Sequence, residues 1–358
     1  MSEFESVYKD PLTPLVLLER ALRVFPRRTA VIHGDLRWSY AHFAEEVGRM
    51  AGALRAAGVR DGDRVAVLAP NTPLHLTATF AAPLITAPLV SINIRLAAQE
   101  VATILAHSGA RVLLIDPEYA PLVDEIRTQT GLERVVEIDD GFVTPRAGQE
   151  TYAEFTRGAE VLPIRNTVRD EDCLLSINYT SGTTGTPKGV MYTHRGAHQN
   201  ALGQAQALGL NPSTVFLWTL PMFHCNGWCM PWAVVAAGGT HLCLRKVEPD
   251  NVFKLIEEHG VTHFNGAPTV LLMLSSDPAA EGRHFDPPIR VCTGGAPPSP
   301  SLLERMEKLG VRITHLYGLT ETYGPHVLCE VQREWSSLDV AGRARMMSRQ
   351  GVPYAFSI

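Results

Sequence analysis

The sequence predicts an α/β protein built on largely parallel sheets. Two observations carry that expectation. Helical and strand periodicities alternate along the chain, and 358 residues with 45% hydrophobic content can bury one large or two ordinary cores. The helical signal is clearest at Phe43, Val47, Met50 and Leu54, spaced i, i+4, i+7, i+11 and followed by a stop at Gly58. Apolar runs of strand length follow at 64–69, 111–115, 215–220, 241–244 and 290–293. Two stretches, 97–115 and 248–264, share one design: helix, histidine, a glycine within two residues, then an apolar strand. Residues 172–178 read as a further buried strand. The expected organisation is two α/β subdomains sharing an interface, 1–180 and 181–358, with the boundary near 160–195.

Composition excludes several classes of function. A net charge of −5 offers no basic footprint for nucleic acid, and no apolar run approaches the roughly 18 residues that span a bilayer. The first fifteen residues, MSEFESVYKDPLTPL, are acidic and lack an apolar core, so no secretion signal is expected and the cytoplasm is the default location. The six cysteines are scattered in or beside apolar segments without a CxxC pair. Cys225 and Cys229, with His224 next door, have three residues between them and lack a second cluster that would complete a metal site. They read as buried free thiols, which suits a reducing compartment.

The most informative segment is Tyr179-Thr-Ser-Gly-Thr-Thr-Gly-Thr-Pro-Lys-Gly-Val190, which combines glycines and hydroxyl side chains ahead of a lysine. Such a run can wrap backbone N–H groups around polyphosphate oxygens. A flexible Gly/Thr linker has a similar composition. The buried strand before the run and the fixed place of Lys188 beyond it favour nucleoside triphosphate binding. The Walker pattern does not fit, because Pro187 stands where glycine is required and Gly189 follows the lysine.

This run resembles the phosphate-binding signature of the adenylate-forming superfamily, which includes acyl- and aryl-CoA synthetases, luciferases and the adenylation domains of peptide synthetases. Pro221-Met-Phe-His-Cys-Asn-Gly-Trp228 resembles its acyl-pocket motif. Thr293-Gly-Gly-Ala-Pro-Pro298 is similar to the stretch lining adenine, and Tyr317-Gly-Leu-Thr-Glu-Thr322 to the adenine and magnesium motif. The resemblance covers essentially the whole chain. It implies the large N-terminal domain of an acyl-CoA synthetase, layered from two mostly parallel sheets with helices between and outside them. It also implies the reaction: a carboxylate attacks the α-phosphorus of ATP, pyrophosphate leaves, and the thiol of coenzyme A takes the acyl group from the adenylate. Both steps are problems of positioning and charge, so no nucleophilic side chain is required.

The resemblance assigns roles residue by residue. Thr180, Ser181, Gly182, Thr183, Thr184, Gly185 and Thr186 would hold the β- and γ-phosphates, with Thr184 and Lys188 serving catalysis. Lys188 supplies charge or anchors the loop, unless it is an ordinary surface lysine. Glu321 would bind Mg²⁺, which takes few protein carboxylates; alone it could equally cap a helix. Thr320 would reach the α-phosphate and Tyr317 would stack on adenine, although an isolated tyrosine reads as core packing. Gly294, Gly295, Ala296, Pro297 and Gly318 would leave room for the base and the acyl chain.

On the substrate side stand His224, Asn226 and Trp228. His224 would orient the carboxylate or gate thiol entry; the alternative is a satisfied core histidine. Lys246 would meet the phosphates of the coenzyme or simply be solvated. No acidic residue lies between Pro221 and Trp232, so this segment offers no counter-ion for an amino-acid substrate. Phe223, Trp228, Met230 and Trp232 suggest a partly apolar pocket for a short- to medium-chain or aryl acid, shortened by Trp228, with core packing equally open for Met230 and Trp232.

Adenylate-forming relatives continue beyond the last motif with a ribose-binding aspartate, a hinge and a small domain bearing a lysine, whereas this sequence stops at Ser357-Ile358. The expectation is therefore a truncated ligase without its C-terminal small domain. Loss of one preorganised charge costs roughly 3–4 kcal/mol, about 10²- to 10³-fold in rate, so ATP binding should be weak and adenylation slow. The alternatives are a non-catalytic nucleotide- or acyl-binding protein and a luciferase-like adenylating relative. The implied partners are a small carboxylic acid, ATP and coenzyme A, with no nucleic acid and no membrane span. A homodimer is allowed, although nothing in the residues sets the oligomeric state.

Overall fold

Apolar runs that alternate between two buried faces become strands flanked by helices on both sides. The computed structural model describes residues 9–180 and 187–356. Its strands are β1 (Thr29–His33), β2 (Leu36–Ser39), β3 (Arg64–Leu68), β4 (Leu89–Ser91), β5 (Ala110–Ile115), β6 (Arg134–Glu137), β7 (Leu174–Thr180), β8 (Lys188–Thr193), β9 (Val215–Leu217), β10 (Thr240–Leu242), β11 (His263–Asn265), β12 (Ile289–Thr293), β13 (Val311–Leu319), β14 (Gly324–Leu328) and β15 (Val352–Pro353). They form a nine-stranded sheet, β15-β14-β13-β12-β11-β9-β10-β1-β2, and a six-stranded sheet, β6-β5-β3-β4-β7-β8. Pairing is parallel except for β1–β2, β7–β8, β13–β14 and β14–β15.

Strand β3 shows how the layers arise. Val65 and Val67 join the core shared by both sheets, whereas Ala66 and Leu68 face a second core with the helix Ala98–Ser108. The shared core contains the helix Tyr40–Ala56, whose face at Phe43, Val47, Met50 and Leu54 is fully buried, and the helix Pro73–Leu84, buried along its whole length. Ser39 starts the former helix by accepting a hydrogen bond from the N–H of His42. A third core packs Pro249–His259 and Pro300–Lys308 on the far side of the nine-stranded sheet. The result is the layered α/β architecture anticipated above, with helices between and outside two mostly parallel sheets.

Sheet membership departs from a division at 180/181. β1 and β2 belong to the sheet of β9–β15 because β1 pairs parallel with β10, Val31 opposite His241. β8 belongs to the sheet of β3–β7 because the chain turns back on β7 as an antiparallel hairpin. Among the described residues, no helix is long and apolar enough to cross a membrane.

Candidate active site

The β7–β8 hairpin places Thr180 directly opposite Lys188 and so clamps both ends of the segment between them. Ser181, Gly182, Thr183, Thr184, Gly185 and Thr186 lie outside the described residues. Lys188 is exposed and Thr180 half-buried. Further along β8, the buried ring of Tyr192 stacks on Tyr323, with centroids 3.6 Å apart and planes 6° from parallel. The Tyr192 hydroxyl donates to the Thr320 carbonyl, while the Tyr323 hydroxyl lies 3.2 Å from Ser176 Oγ on β7. Burial pushes the Tyr192 phenol far above its ordinary value, so it stays a protonated donor. The hairpin is thus tied on both strands to the turn Thr320–Thr322.

In front of that turn opens a cavity of about 810 Å³. His224 and Trp228, Gly294 and Gly295, Gly318 and Thr320, and Lys246 all line it, so the acyl, small-residue and Thr320 segments meet on one cleft. Trp228 stands between two glycines. A Cβ on Gly294 would lie 3.4 Å from its Cη2, and one on Gly324 3.3 Å from its Cδ1. Among the described residues, the cavity is lined by Arg95, Arg245 and Lys246 and by no aspartate or glutamate. The wall therefore favours an anion.

Besides Thr180 and Lys188 on the hairpin, five assigned residues lie off this cavity. Tyr317 is off the cavity, although Leu316, Gly318 and Leu319 of the same strand line it; its ring lies 6.3 Å from that of His326, and the pairing with β14 shifts register between Tyr317 and Gly318. Ala296 and Pro297 are exposed beyond the end of β12 and do not line the cleft. Asn226 is fully buried, its amide turned away to hydrogen-bond Ser176 and Asn178, so it forms no part of the cavity wall. Glu321 is exposed on a second cavity of about 400 Å³, shared with Arg195, Asn200 and His326. The Thr320–Thr322 turn separates the two cavities, with Thr320 on one side and Glu321 on the other.

The cleft wall from Cys225 to Cys229 is a left-handed turn, φ running from 45° to 60°. Each non-glycine residue in that conformation costs roughly 1–2 kcal/mol. Gly227 is required there, since a Cβ would come within 2.6 Å of the Trp218 ring. His224 opens into the cavity, and the protein crowded around that space displaces water and lowers its imidazole pKa below the ordinary value. Burial raises the Cys225 thiol, against the opposing hydrogen bond with Thr320, which disfavours a thiolate nucleophile.

Two functional residues carried no local signal. Asn71, just beyond β3, donates to the carbonyls of Trp218 and Leu220 at 2.8 and 3.0 Å and accepts from the N–H of Met222 at 2.7 Å. It fixes the loop leading to His224. Arg245, preceding Lys246, binds Asp116 through both guanidinium nitrogens at 2.7 and 2.9 Å, Asp140 at 2.7 Å and Glu118 at 2.9 Å. Burial opposes ionisation of Asp140, but hydrogen bonds from His33 and Arg245 outweigh it and hold its pKa at about 2. Lys246 itself is exposed, 3.5 Å from Glu118. The described cysteines are all free, and among the described residues no group of three or more His, Cys, Asp or Glu is placed to hold a metal.

Two mostly parallel sheets, a clamped hairpin and a cleft lined by cations are the features that comparison with known proteins places in a family. The family model described as AMP-binding enzyme matches residues 18–355, and the chain belongs to that family. It is 38% identical over 348 residues to 4-hydroxybutyrate–CoA ligase 2 of Metallosphaera sedula, covering 96% of this chain and 63% of the relative. It is 39% identical to an acetate–CoA ligase of Humulus lupulus, with the same coverage of 96% and 63%. The chain thus spans under two thirds of the length of these curated relatives. Among solved structures it superposes on the N-terminal domain of FACL13 from Mycobacterium tuberculosis with a TM-score of 0.81 at 29% identity, covering 96% of this chain and 83% of that one. It also matches an o-succinylbenzoate coenzyme A synthetase from Bacillus subtilis solved with AMP, with a TM-score of 0.77 at 26% identity, covering 95% and 64%. Several similar ligases, including a butyrate–CoA ligase of Arabidopsis thaliana, are named as peroxisomal.

Proposed function

We propose that this chain provides the acid- and nucleotide-binding domain of an AMP-forming acid–thiol ligase, which activates a short-chain carboxylic acid with ATP for transfer to coenzyme A. The observation that carries the reading is the cleft itself. Arg95, Arg245, Lys246 and Thr320 line the same space as the apolar Phe223, Trp228, Val270 and Met273. An anion and a short apolar tail are what such a space accommodates. The neutral His224 imidazole at the rim would hydrogen-bond the substrate carboxylate, and the Thr320 hydroxyl and the cations would meet phosphate oxygens. The acetate and 4-hydroxybutyrate named for two relatives support a short acid.

Glu321 suits a shared magnesium site: it is one exposed carboxylate between the hydroxyl residues Thr320 and Thr322, and Mg²⁺ completes its shell with phosphate oxygens and water. Bound there, the ion would neutralise charge on the triphosphate. Coenzyme A would approach past Lys246. Cytoplasm and peroxisome both suit the free thiols.

The test is carboxylate-dependent ATP–pyrophosphate exchange across an acid panel, run on this chain and on the chain joined to the C-terminal part of a curated relative. Exchange with acetate to butyrate that exceeds exchange with octanoate and with amino acids supports the reading. Exchange with none of them in either form removes it.

A further inference from the structure

Asn226 does not face the cleft, yet it sits at the centre of the turn that walls it. Cys225, Asn226, Gly227, Trp228 and Cys229 have φ of 45°, 45°, 57°, 56° and 60°. Asparagine and glycine visit this region readily, whereas cysteine and tryptophan do so only when something holds them. The Asn226 amide is what reaches across the molecule. Its Oδ1 accepts from Ser176 Oγ at 2.8 Å and from Asn178 Nδ2, and its Nδ2 donates to Ser91 Oγ at 3.4 Å. Ser91 ends β4, and Ser176 and Asn178 lie on β7, so one buried side chain fastens the turn to the six-stranded sheet. Trp228 follows two residues later and is delivered into the gap between Gly294 and Gly324. A turn relaxed to right-handed geometry would rotate that indole out of the gap.

We propose that Asn226 is a positioning residue whose buried amide holds the left-handed turn, placing Trp228 and so setting the acyl length that the cleft admits. The amide has no direct contact to offer a ligand, because its oxygen is taken by β7. Its effect on substrate choice passes entirely through the backbone that carries the indole. The claim about acyl length rests on the ligase reading, while the claim about Trp228 does not.

Two variants separate the amide from the backbone. Asn226→Gly keeps the left-handed preference but removes the amide. Ser176→Ala removes one partner on β7 and leaves the turn sequence untouched. With 5-fluorotryptophan in the five tryptophan positions and Trp228→Phe to assign the signal, ¹⁹F NMR should show the Trp228 resonance shifted or split in both variants, the other four unmoved. In the same variants the preference for butyryl- over octanoyl-sulfamoyladenosine should fall by about tenfold, with AMP affinity held within about twofold. An unmoved Trp228 resonance in both variants overturns the proposal, as does an equal loss of affinity for every acyl length. If the unaltered chain binds neither analogue, the ligase reading fails and the resonance alone decides the role of Asn226.

Discussion

Arg245→Met removes the charge that joins the two sheets at the edge of the cleft while keeping most of the side-chain volume. The guanidinium is 11% exposed, and its partners Asp116 and Asp140 are 0% and 1% exposed. Breaking a buried pair by deleting one partner costs about 3–5 kcal/mol, because the remaining charge is left in low dielectric. The carboxylates keep other contacts: Asp140 has His33 at 2.8 Å and the N–H of Phe142 at 3.1 Å, and Asp116 has the N–H of Glu118 at 3.0 Å. The loss at pH 7 should therefore sit at about 3 kcal/mol, the lower end of that range. The sign of the pH dependence follows from Asp140, whose pKa falls from 3.8 to about 2 on folding. A depressed carboxylate contributes stability that is present above its unfolded pKa and lost as pH drops through the folded one. At about 1.4 kcal/mol per pH unit the gap is worth about 2 kcal/mol, of which about half is gone by pH 3. Urea denaturation at pH 7, 5, 4 and 3 reads both quantities. The wild type should lose that increment between pH 5 and 3, and the variant should start lower and lose less. A variant within about 1 kcal/mol of wild type at pH 7, or one with the same acid slope, refutes the reasoning.

Three further outcomes follow from single contacts. Glu321→Gln should abolish the magnesium dependence of ATP binding and slow exchange by about 10²- to 10³-fold; an unchanged magnesium titration removes the metal role. Trp228→Ala should favour longer acids by about 0.8 kcal/mol per added methylene, about 60-fold for three, and an unchanged chain-length profile in the exchange assay would show that the indole does not close the pocket. Gly318→Ala puts a Cβ 1.9 Å from the Gly324 carbonyl oxygen and 2.7 Å from Pro325 Cα. Because both neighbours are backbone, the variant should lose more than about 3 kcal/mol, and a wild-type melting temperature would contradict that packing.

What could be read ahead of the structure depended on whether the cause was local. Strands at 64–69, 111–115 and 290–293 emerge as β3, β5 and β12 because burial on both faces demands unbroken apolar runs. Their partners were not legible in the same way: β1 pairs with β10 across some two hundred residues, and an apolar strand specifies its burial without naming its neighbour. That His224, Trp228, Gly294, Gly318 and Thr320 would share one space was anticipated from the short runs that hold them, and they do line one cavity; their roles there are proposals. Tyr317 shows the limit. Tyr317 and Gly318 were assigned to one site, yet only Gly318 lines the cavity, because the register shift between them follows from the pairing with β14 and not from a local pattern. Asn226 lies off the cavity wall for a different reason, since nothing in Cys-Asn-Gly-Trp announces a left-handed turn beyond the Asn-Gly pair itself.

Arg245 joins the fold and the site. Its carboxylates come from Asp116, after β5, and Asp140, after β6, more than a hundred residues away. Both are buried and neither lines the cavity, whereas Arg245 does. The placement matters more than the charge count. Were either aspartate on the cavity side, the cleft would repel the carboxylate and phosphates it is proposed to hold. Arg245 offsets both aspartates, and Arg95 and Lys246 add further positive charge to the lining. Removing Arg245 would leave two uncompensated carboxylates beside the cleft, so a substitution there should weaken anion binding by the same act that loosens the sheets.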